Sequence, residues 1–221
     1  MLFEELTEIT DPEPHDAALN MAIDEALFNG ASGPILRVYQ WLRPSVSFGY
    51  FGRYDAVAKE WDGRGMVRRW TGGGVVPHGE DITYTLIAPG NSDFSRRPAR
   101  ESYRMIHERI AGYLARKGHR TSMTGKSGAK ISEACFDNPV ASDLMVDGSK
   151  IAGAAQRRSN GGLLHQGSIK SPGVVRASCE DLASAFAPRI MRRELHPAEV
   201  KAAHVIAAEK YATEAWLKKF R

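Results

Sequence analysis

Apolar positions recur at helical spacing over residues 16–28, where Leu19, Ala22, Ile23, Ala26 and Leu27 form one stripe. Asp16 is placed to cap this helix and Gly30 to end it. The period then changes: residues 35–41 alternate, are rich in β-formers and predict a strand closed by Pro44. Residues 45–51, 67–70 and 82–88 predict three more strands, with a glycine-rich turn at 72–74 between the last two. Helical spacing returns over 101–117 through Tyr103, Ile106, Ile110 and Leu114, and Gly118 stops it. Residues 119–142 are polar, broken by Gly125, Gly128 and Pro139, and read as a long loop. Asp147-Gly148, between residues 143–146 and 149–154, is a hairpin signature, because a two-residue turn needs positive φ at its centre. A strand at 163–169 and helices at 178–187 and 197–217 complete the pattern, the last with Val200, Ala203, Ala207 and Tyr211 on one side. The expected fold class is α+β, a mostly antiparallel sheet flanked by helices.

Composition narrows this picture. The chain has 221 residues, 43% hydrophobic and 25% charged, which is ordinary globular usage and predicts one domain over 1–221. Cys135 and Cys179 are the only cysteines, too few for a disulfide framework or a Cys-rich zinc site, and they suit a reducing compartment. No apolar run approaches the ~20 residues of a spanning helix, and the acidic start Met1-Leu2-Phe3-Glu4-Glu5-Leu6 is not a signal peptide. The expectation is a cytoplasmic protein with no membrane partner. The net charge of +4 favours phosphates or acidic partners. Its arginine pairs are scattered rather than gathered into an arm, which argues against nucleic acid.

Several familiar motifs fail. Gly125-Lys126-Ser127 lacks the first glycine of a phosphate-binding loop, since Arg120 stands there. Gly72-Gly73-Gly74 is not a dinucleotide fingerprint, since Pro77 holds the third glycine position. The seven histidines form no HExxH or HxH pair, so no protein-bound metal is expected.

Two segments remain. In 68–78, three consecutive glycines let the backbone approach a ligand and aim several N–H groups at one acceptor, and Arg68-Arg69 adds charge. The plainer reading is a flexible hairpin tip. In 134–156, Lys150 lies among small and apolar neighbours and is either partly desolvated or an exposed hairpin lysine. Cys135 is either a reactive thiol beside a cation or a buried small hydrophobe, and Cys179 reads as structural. His78 and His165 suit proton transfer or simply satisfy hydrogen bonds.

With Leu19-Asn20-Met21-Ala22-Ile23-Asp24-Glu25-Ala26-Leu27, residues 44–50, Tyr84 and Leu164-His165-Gln166-Gly167-Ser168-Ile169, these segments resemble the lipoate/octanoate protein ligase and transferase family, which shares a fold with biotin protein ligase. The most specific pieces are Arg-Arg-x-Thr-Gly-Gly-Gly and Gly-x-Lys-Ile-Ala-Gly. The resemblance implies a medium-chain acyl group, octanoyl or lipoyl, whose carbonyl end meets Lys150. Arg69, Thr71, Gly72, Gly73, Gly74, His78, Tyr84, Asp143, Gly153 and His165 would bind it. Ala-Cys-Phe-Asp-x-Pro, with Cys135 fifteen residues before Lys150, resembles the cysteine-dependent octanoyltransferases, so Lys150 and Cys135 are the implied catalytic pair. That branch needs no cofactor. It takes octanoate from acyl carrier protein and delivers it to lipoyl domains of 2-oxoacid dehydrogenases or the glycine cleavage H protein.

The alternative within the resemblance is an ATP- and Mg²⁺-dependent lipoate ligase, whose glycine loop Gly74 resembles; the small C-terminal domain of many ligases is not expected. A binding-only member and a biotin ligase are further alternatives. In the transferase chemistry the Lys150 ammonium would raise the thiolate fraction of Cys135 and polarise the thioester, and Lys150 would serve as base for the incoming amine.

Overall fold

The computed structural model describes residues 1–61, 63–125, 140–170 and 179–220. At the centre of the large sheet, β6 (Ile82–Pro89), β10 (Gly162–Ile169) and β9 (Ser149–Ser159) form antiparallel ladders, and β2 (Ile35–Tyr39) joins β6 antiparallel. β1 (Glu5–Thr10) and β11 (Arg189–Glu194) extend one edge in parallel, while β8 (Leu144–Val146) and β7 (Ser122–Met123) extend the other antiparallel. A second sheet has β3 (Ser45–Phe48) at its centre, parallel to β4 (Gly65–Arg68) and antiparallel to β5 (Val75–His78).

Strand alternation decides the layers. Tyr84, Leu86 and Leu163 face α4 (Ala99–Arg116), whose Ile106, Ile110 and Leu114 complete one core. Ile87 and Leu164 face α1 (Ala17–Gly30), whose Met21, Ile23 and Leu27 complete the other. The small sheet keeps its own cluster of Val46, Phe48, Val57 and Val75. As the sequence suggests, the Asp16 side chain accepts from Leu19 N at 2.8 Å at the start of α1. Gly118 ends α4 at φ +88°, and Asp147 and Gly148 turn at φ +47° and +77°.

Elsewhere the structure departs from the expected pattern. The strand expected over 45–51 stops at Phe48, because Gly49 lies against the glycine turn, where a Cβ would be 2.0 Å from the Gly73 carbonyl oxygen. Where a helix is expected over 178–187, the described residues 179–187 carry a tight 3-10 turn at Leu182–Ala185 instead of an α-helix. The helix expected over 197–217 is three pieces: α5 (Pro197–Ile206), a wider π turn at Ala207–Tyr211, and α6 (Glu214–Leu217). The break has two causes. Thr213 caps α6 by accepting from Trp216 N, and the π turn brings Lys210 and Tyr211 onto Glu25 at 2.6 and 2.5 Å. Further helices, α2 (Tyr54–Glu60) and α3 (Asp93–Arg96), and strands β1 and β11 carry no strong periodicity in the sequence.

A buried ionic knot ties α1 to the sheet. Arg37 donates to Asp11 at 2.8 Å, to Asp24 at 2.7 Å and to the Asn20 side chain at 2.7 Å. Asp24 also accepts from Thr85 at 2.6 Å and from Gln166 at 2.7 Å. Removing one member strands the other charges in a place that water does not reach. Arg37→Met should lower unfolding stability by about 3–5 kcal/mol in urea titration.

Candidate active site

Lys150 is the second residue of β9, just past the Asp147-Gly148 turn. Its Nζ pairs with Asp143 Oδ2 at 2.8 Å, and the two side chains are 1% and 0% exposed. That decides between the two sequence readings: the lysine is desolvated. Asp143 is clamped in turn. The Tyr103 hydroxyl donates to Oδ1 at 2.5 Å and Val140 N donates to Oδ2 at 2.7 Å, while Ala154 N donates to the Tyr103 oxygen at 2.9 Å. Gly153 makes the room: a Cβ there would sit 2.3 Å from Lys150 Cε and 2.6 Å from Nζ.

The glycine turn reaches the same place from the small sheet. Arg69 Nη2 donates to the carbonyls of Gly72 at 3.1 Å and Gly74 at 2.8 Å, so one guanidinium holds the bend closed. Gly73 adopts φ +90°, and a Cβ on it would be 3.4 Å from the Ala155 Cβ. The bend therefore lies on β9 two residues beyond Gly153. Thr71 Oγ1 donates to Gln166 at 2.8 Å, and Gln166 passes the contact on to Asp24. The bend is thus anchored to the ionic knot. Arg68 points away from it: its guanidinium donates to the carbonyls of Tyr50, Gly52 and Leu217 and fastens the C-terminal segment. The arginine pair is split, and only Arg69 serves the cavity.

Between the sheets lies a mostly apolar cavity, lined by Gly73, Gly153, Ala155, Met21, Tyr39 and Val76 among others. His78, also in its wall, stacks on Trp41 with ring centroids 4.0 Å apart and contacts Ser47 and Asp81. Burial alone would raise the Asp81 carboxyl, but His78, Ser168 and Thr83 outweigh it and hold it at about 2.

Tyr84 and His165 sit on the α4 side of the sheet. The Tyr84 ring fills the space that a side chain on Gly167 would take, 2.2 Å from Cζ, and so closes the cavity from behind. His165 lies 3.1 Å from the Tyr84 hydroxyl and 3.1 Å from Gln156, and burial drives its imidazole well below the usual range. Cys135 lies outside the described residues. Cys179 is buried, and burial pushes its thiol up to about 11. Among the described residues no cluster of His, Cys, Asp or Glu is placed to hold a metal ion.

Sequence reading misses Tyr103, which shows only as a stripe position of α4, and Ser47, Asp81 and His107. His107 Nδ1 donates to the Ser142 carbonyl at 2.6 Å, just before Asp143, and its ring lies 4.2 Å from that of Tyr103. Burial lowers the His107 imidazole to about 4. As pH falls from about 6.5 to 4, the unfolded chain gains a proton that the folded chain refuses. Stability should therefore drop across that window by roughly 3 kcal/mol from this group, with His165 acting in the same direction. Urea titrations at several pH values should show a flatter acid limb for His107→Phe than for the parent.

A basic, aromatic surface flanks the bend. The Arg157 guanidinium lies 4.2 Å from the Trp70 ring, Lys210 lies 4.4 Å from Trp216, and Lys219 lies 4.8 Å from Tyr50. Tyr50 N donates to the Thr71 carbonyl at 2.8 Å, which joins this surface to the bend.

The lipoyl protein ligase A/B catalytic domain matches residues 16–213. The chain belongs to that family. Its relatives include octanoyltransferase LipM of Kyrpidia tusciae, 38% identical over 168 residues, covering 69% of this chain and 61% of the relative. LipM of Staphylococcus aureus is 37% identical over 172 residues, covering 70% and 62%. The chain thus spans about three fifths of the length of these relatives. A putative lipoate protein ligase from T. acidophilum with bound lipoic acid superposes with a TM-score of 0.79 at 20% identity, covering 98% of this chain and 100% of that one. A lipoate-protein ligase A bound with ATP gives 0.74 at 20%, covering 99% and 100%. At such identity these two establish the family fold. Every residue of the cavity and of the Lys150 clamp falls within the family match. No helix among the described residues is long and apolar enough to cross a membrane.

Proposed function

We propose that this chain transfers an octanoyl or lipoyl group to a lysine of a lipoyl domain, and that Cys135 carries the acyl group as a thioester taken from octanoyl-acyl carrier protein. The observation that carries the reading is the buried Lys150–Asp143 pair packed on Gly153, which together with the side-chain-free bend at Gly73 lines a mostly apolar cavity. The LipM relatives support octanoyl transfer over ligation.

In the proposed reaction the Cys135 thiolate attacks the donor carbonyl carbon, the donor C–S bond breaks, and the carrier sulfur leaves as a thiolate that takes up the proton Cys135 released on ionising. The acceptor amine then attacks the Cys135 thioester, the C–S bond breaks, and the amine's proton passes to the departing sulfur. Lys150, held by Asp143, supplies a fixed cation for the oxyanion of both steps. Gly72–74, Arg69, Thr71 and Gly153 shape the carbonyl end, His78 lines the wall, and Tyr84 with His165 backs it. No cofactor is needed. Donor and acceptor are acidic partners, for which Arg157 and Lys219 form a complementary surface. Lipoyl domains of 2-oxoacid dehydrogenases or the glycine cleavage H protein, in the cytoplasm, fit that description.

Intact mass spectrometry after mixing with octanoyl-acyl carrier protein tests this. A gain of one octanoyl group, absent in Cys135→Ala, is expected. The ligase reading is favoured by the third glycine, Gly74, and would need ATP and Mg²⁺. Lipoate-dependent ATP–pyrophosphate exchange without an acyl adduct would establish it instead.

A further inference from the structure

One group of side chains at and behind the cavity wall has no part in the chemistry above. Ser47 on β3, His78 on β5 and Asp81 in the β5–β6 turn are all buried and form a line. Ser47 Oγ lies 2.6 Å from His78 Nε2, and His78 Nδ1 lies 2.8 Å from Asp81 Oδ2. A hydroxyl, an imidazole and a carboxylate in this order and at these distances let the imidazole take the hydroxyl proton while the carboxylate fixes the ring.

The surroundings hold that arrangement in place. Asp81 Oδ2 also accepts from Ser168 at 2.7 Å and Thr83 at 2.8 Å, and Oδ1 accepts from Gly79 N at 3.1 Å. With Nδ1–H committed to Asp81, Nε2 is left to accept the Ser47 proton, and Trp41 stacking fixes the ring plane. Ser47 Oγ also accepts from Arg69 Nη1 at 2.7 Å, so charge developing on that oxygen faces a guanidinium. The same guanidinium holds the carbonyls of Gly72 and Gly74. Ser47 is therefore one side chain away from the bend, and both Ser47 and His78 line the cavity.

We propose that Ser47, His78 and Asp81 form a second acyl-accepting site, which gives the protein a hydrolase activity on medium-chain acyl thioesters and esters independent of Cys135. This rests on the reading that the acyl carbonyl lies at the glycine bend. Ser47 Oγ bonds to the carbonyl carbon as its proton moves to His78 Nε2. The C–S or C–O bond of the substrate breaks, and the leaving thiol or alcohol takes that proton. Water then attacks the acyl-serine and gives its proton to His78; the C–Oγ bond breaks, Ser47 recovers the proton, and the free acid departs. Asp81 acts as a positioning residue for His78.

The test uses the full chain as parent, Cys135→Ala and Cys135→Ala/Ser47→Ala, with octanoyl-pantetheine and p-nitrophenyl octanoate as substrates. Cys135→Ala should keep hydrolysing both, and adding Ser47→Ala should cut the rate by about a hundredfold or more in protein that still unfolds cooperatively. An octyl fluorophosphonate should add one phosphonyl group to the parent, mapped to Ser47 by peptide mass; this readout needs no variant to fold. A Ser47 left unlabelled, or hydrolysis unaffected by Ser47→Ala, overturns the proposal. If that happens while the parent still acylates a lipoyl domain and octanoate raises its melting temperature, only the serine site is refuted. If octanoate has no effect on melting and no acyl group is transferred, the acyl-binding reading falls with it.

Discussion

Replacing Lys150 with methionine should lower octanoyl transfer by about 10³-fold or more and should also weaken the fold, and the two losses can be separated. The first follows from the proposed chemistry: the buried ammonium is packed on Gly153 in the cavity wall and is the cation assigned to the oxyanion, and methionine keeps its bulk without its charge. The second follows from desolvation. Asp143 would remain buried with its charge and without its cation, at a cost of about 3–5 kcal/mol. Its donors from Tyr103 and Val140 N persist, which places the expected loss at the lower end of that range. Adding Asp143→Asn removes the stranded charge. The double variant should recover most of the stability in urea titration and none of the turnover. Lys150→Arg should not restore activity either, because the planar guanidinium is wider than the niche that Gly153 leaves. Turnover in Lys150→Met close to that of the parent would remove the lysine from the mechanism.

Much of the centre of this fold is legible in the sequence. Leu19 to Leu27, Tyr103 to Leu114 and the Asp147-Gly148 hairpin carry local signals, a 3.6-residue stripe or a turn that only certain residues make, and each forms close to where the pattern places it. β1 and β11 escape because their signal is not local. They pair in parallel across the length of the chain, and β11 is an arginine-rich edge whose charge masks its alternation. The broken C-terminal helix escapes for a related reason. Its stripe is real through Ala203 and Tyr211, but the contacts of Lys210 and Tyr211 with Glu25 widen the turn between them.

The site divides along the same line. Lys150 and the glycines at 72–74 come forward because a charged residue among small ones, or three glycines in a row, is unusual in itself, whereas Asp143 and Gly153 come forward only through the family resemblance. Ser47, Tyr103 and His107 are ordinary residues until the fold brings them together. Arg68 and Arg69 show the limit most plainly. They are adjacent and chemically identical, yet strand alternation sends one guanidinium to the C-terminal segment and the other to the bend.

Gly153→Ala should reduce kcat by about a hundredfold while leaving cooperative unfolding intact. An alanine Cβ would meet Lys150 Cε at 2.3 Å and Nζ at 2.6 Å, with Asp143 Oδ1 at 3.2 Å. The atoms that must yield are the end of a flexible side chain. The backbone, held by the Gly153–Ser168 register of the β9–β10 ladder, is not required to move. The ammonium therefore shifts by about an ångström from its place beside Asp143, and a displacement of that size costs roughly a factor of 10² in a positioned reaction. Filling part of the cavity is the competing explanation, because Gly153 also lines it. Combining the substitution with Lys150→Met distinguishes the two. If the lysine transmits the effect, Gly153→Ala should cost nothing further in that background, and steady-state kinetics of the four proteins would show strong non-additivity. A full hundredfold loss persisting without the lysine would instead assign Gly153 to the acyl chain alone.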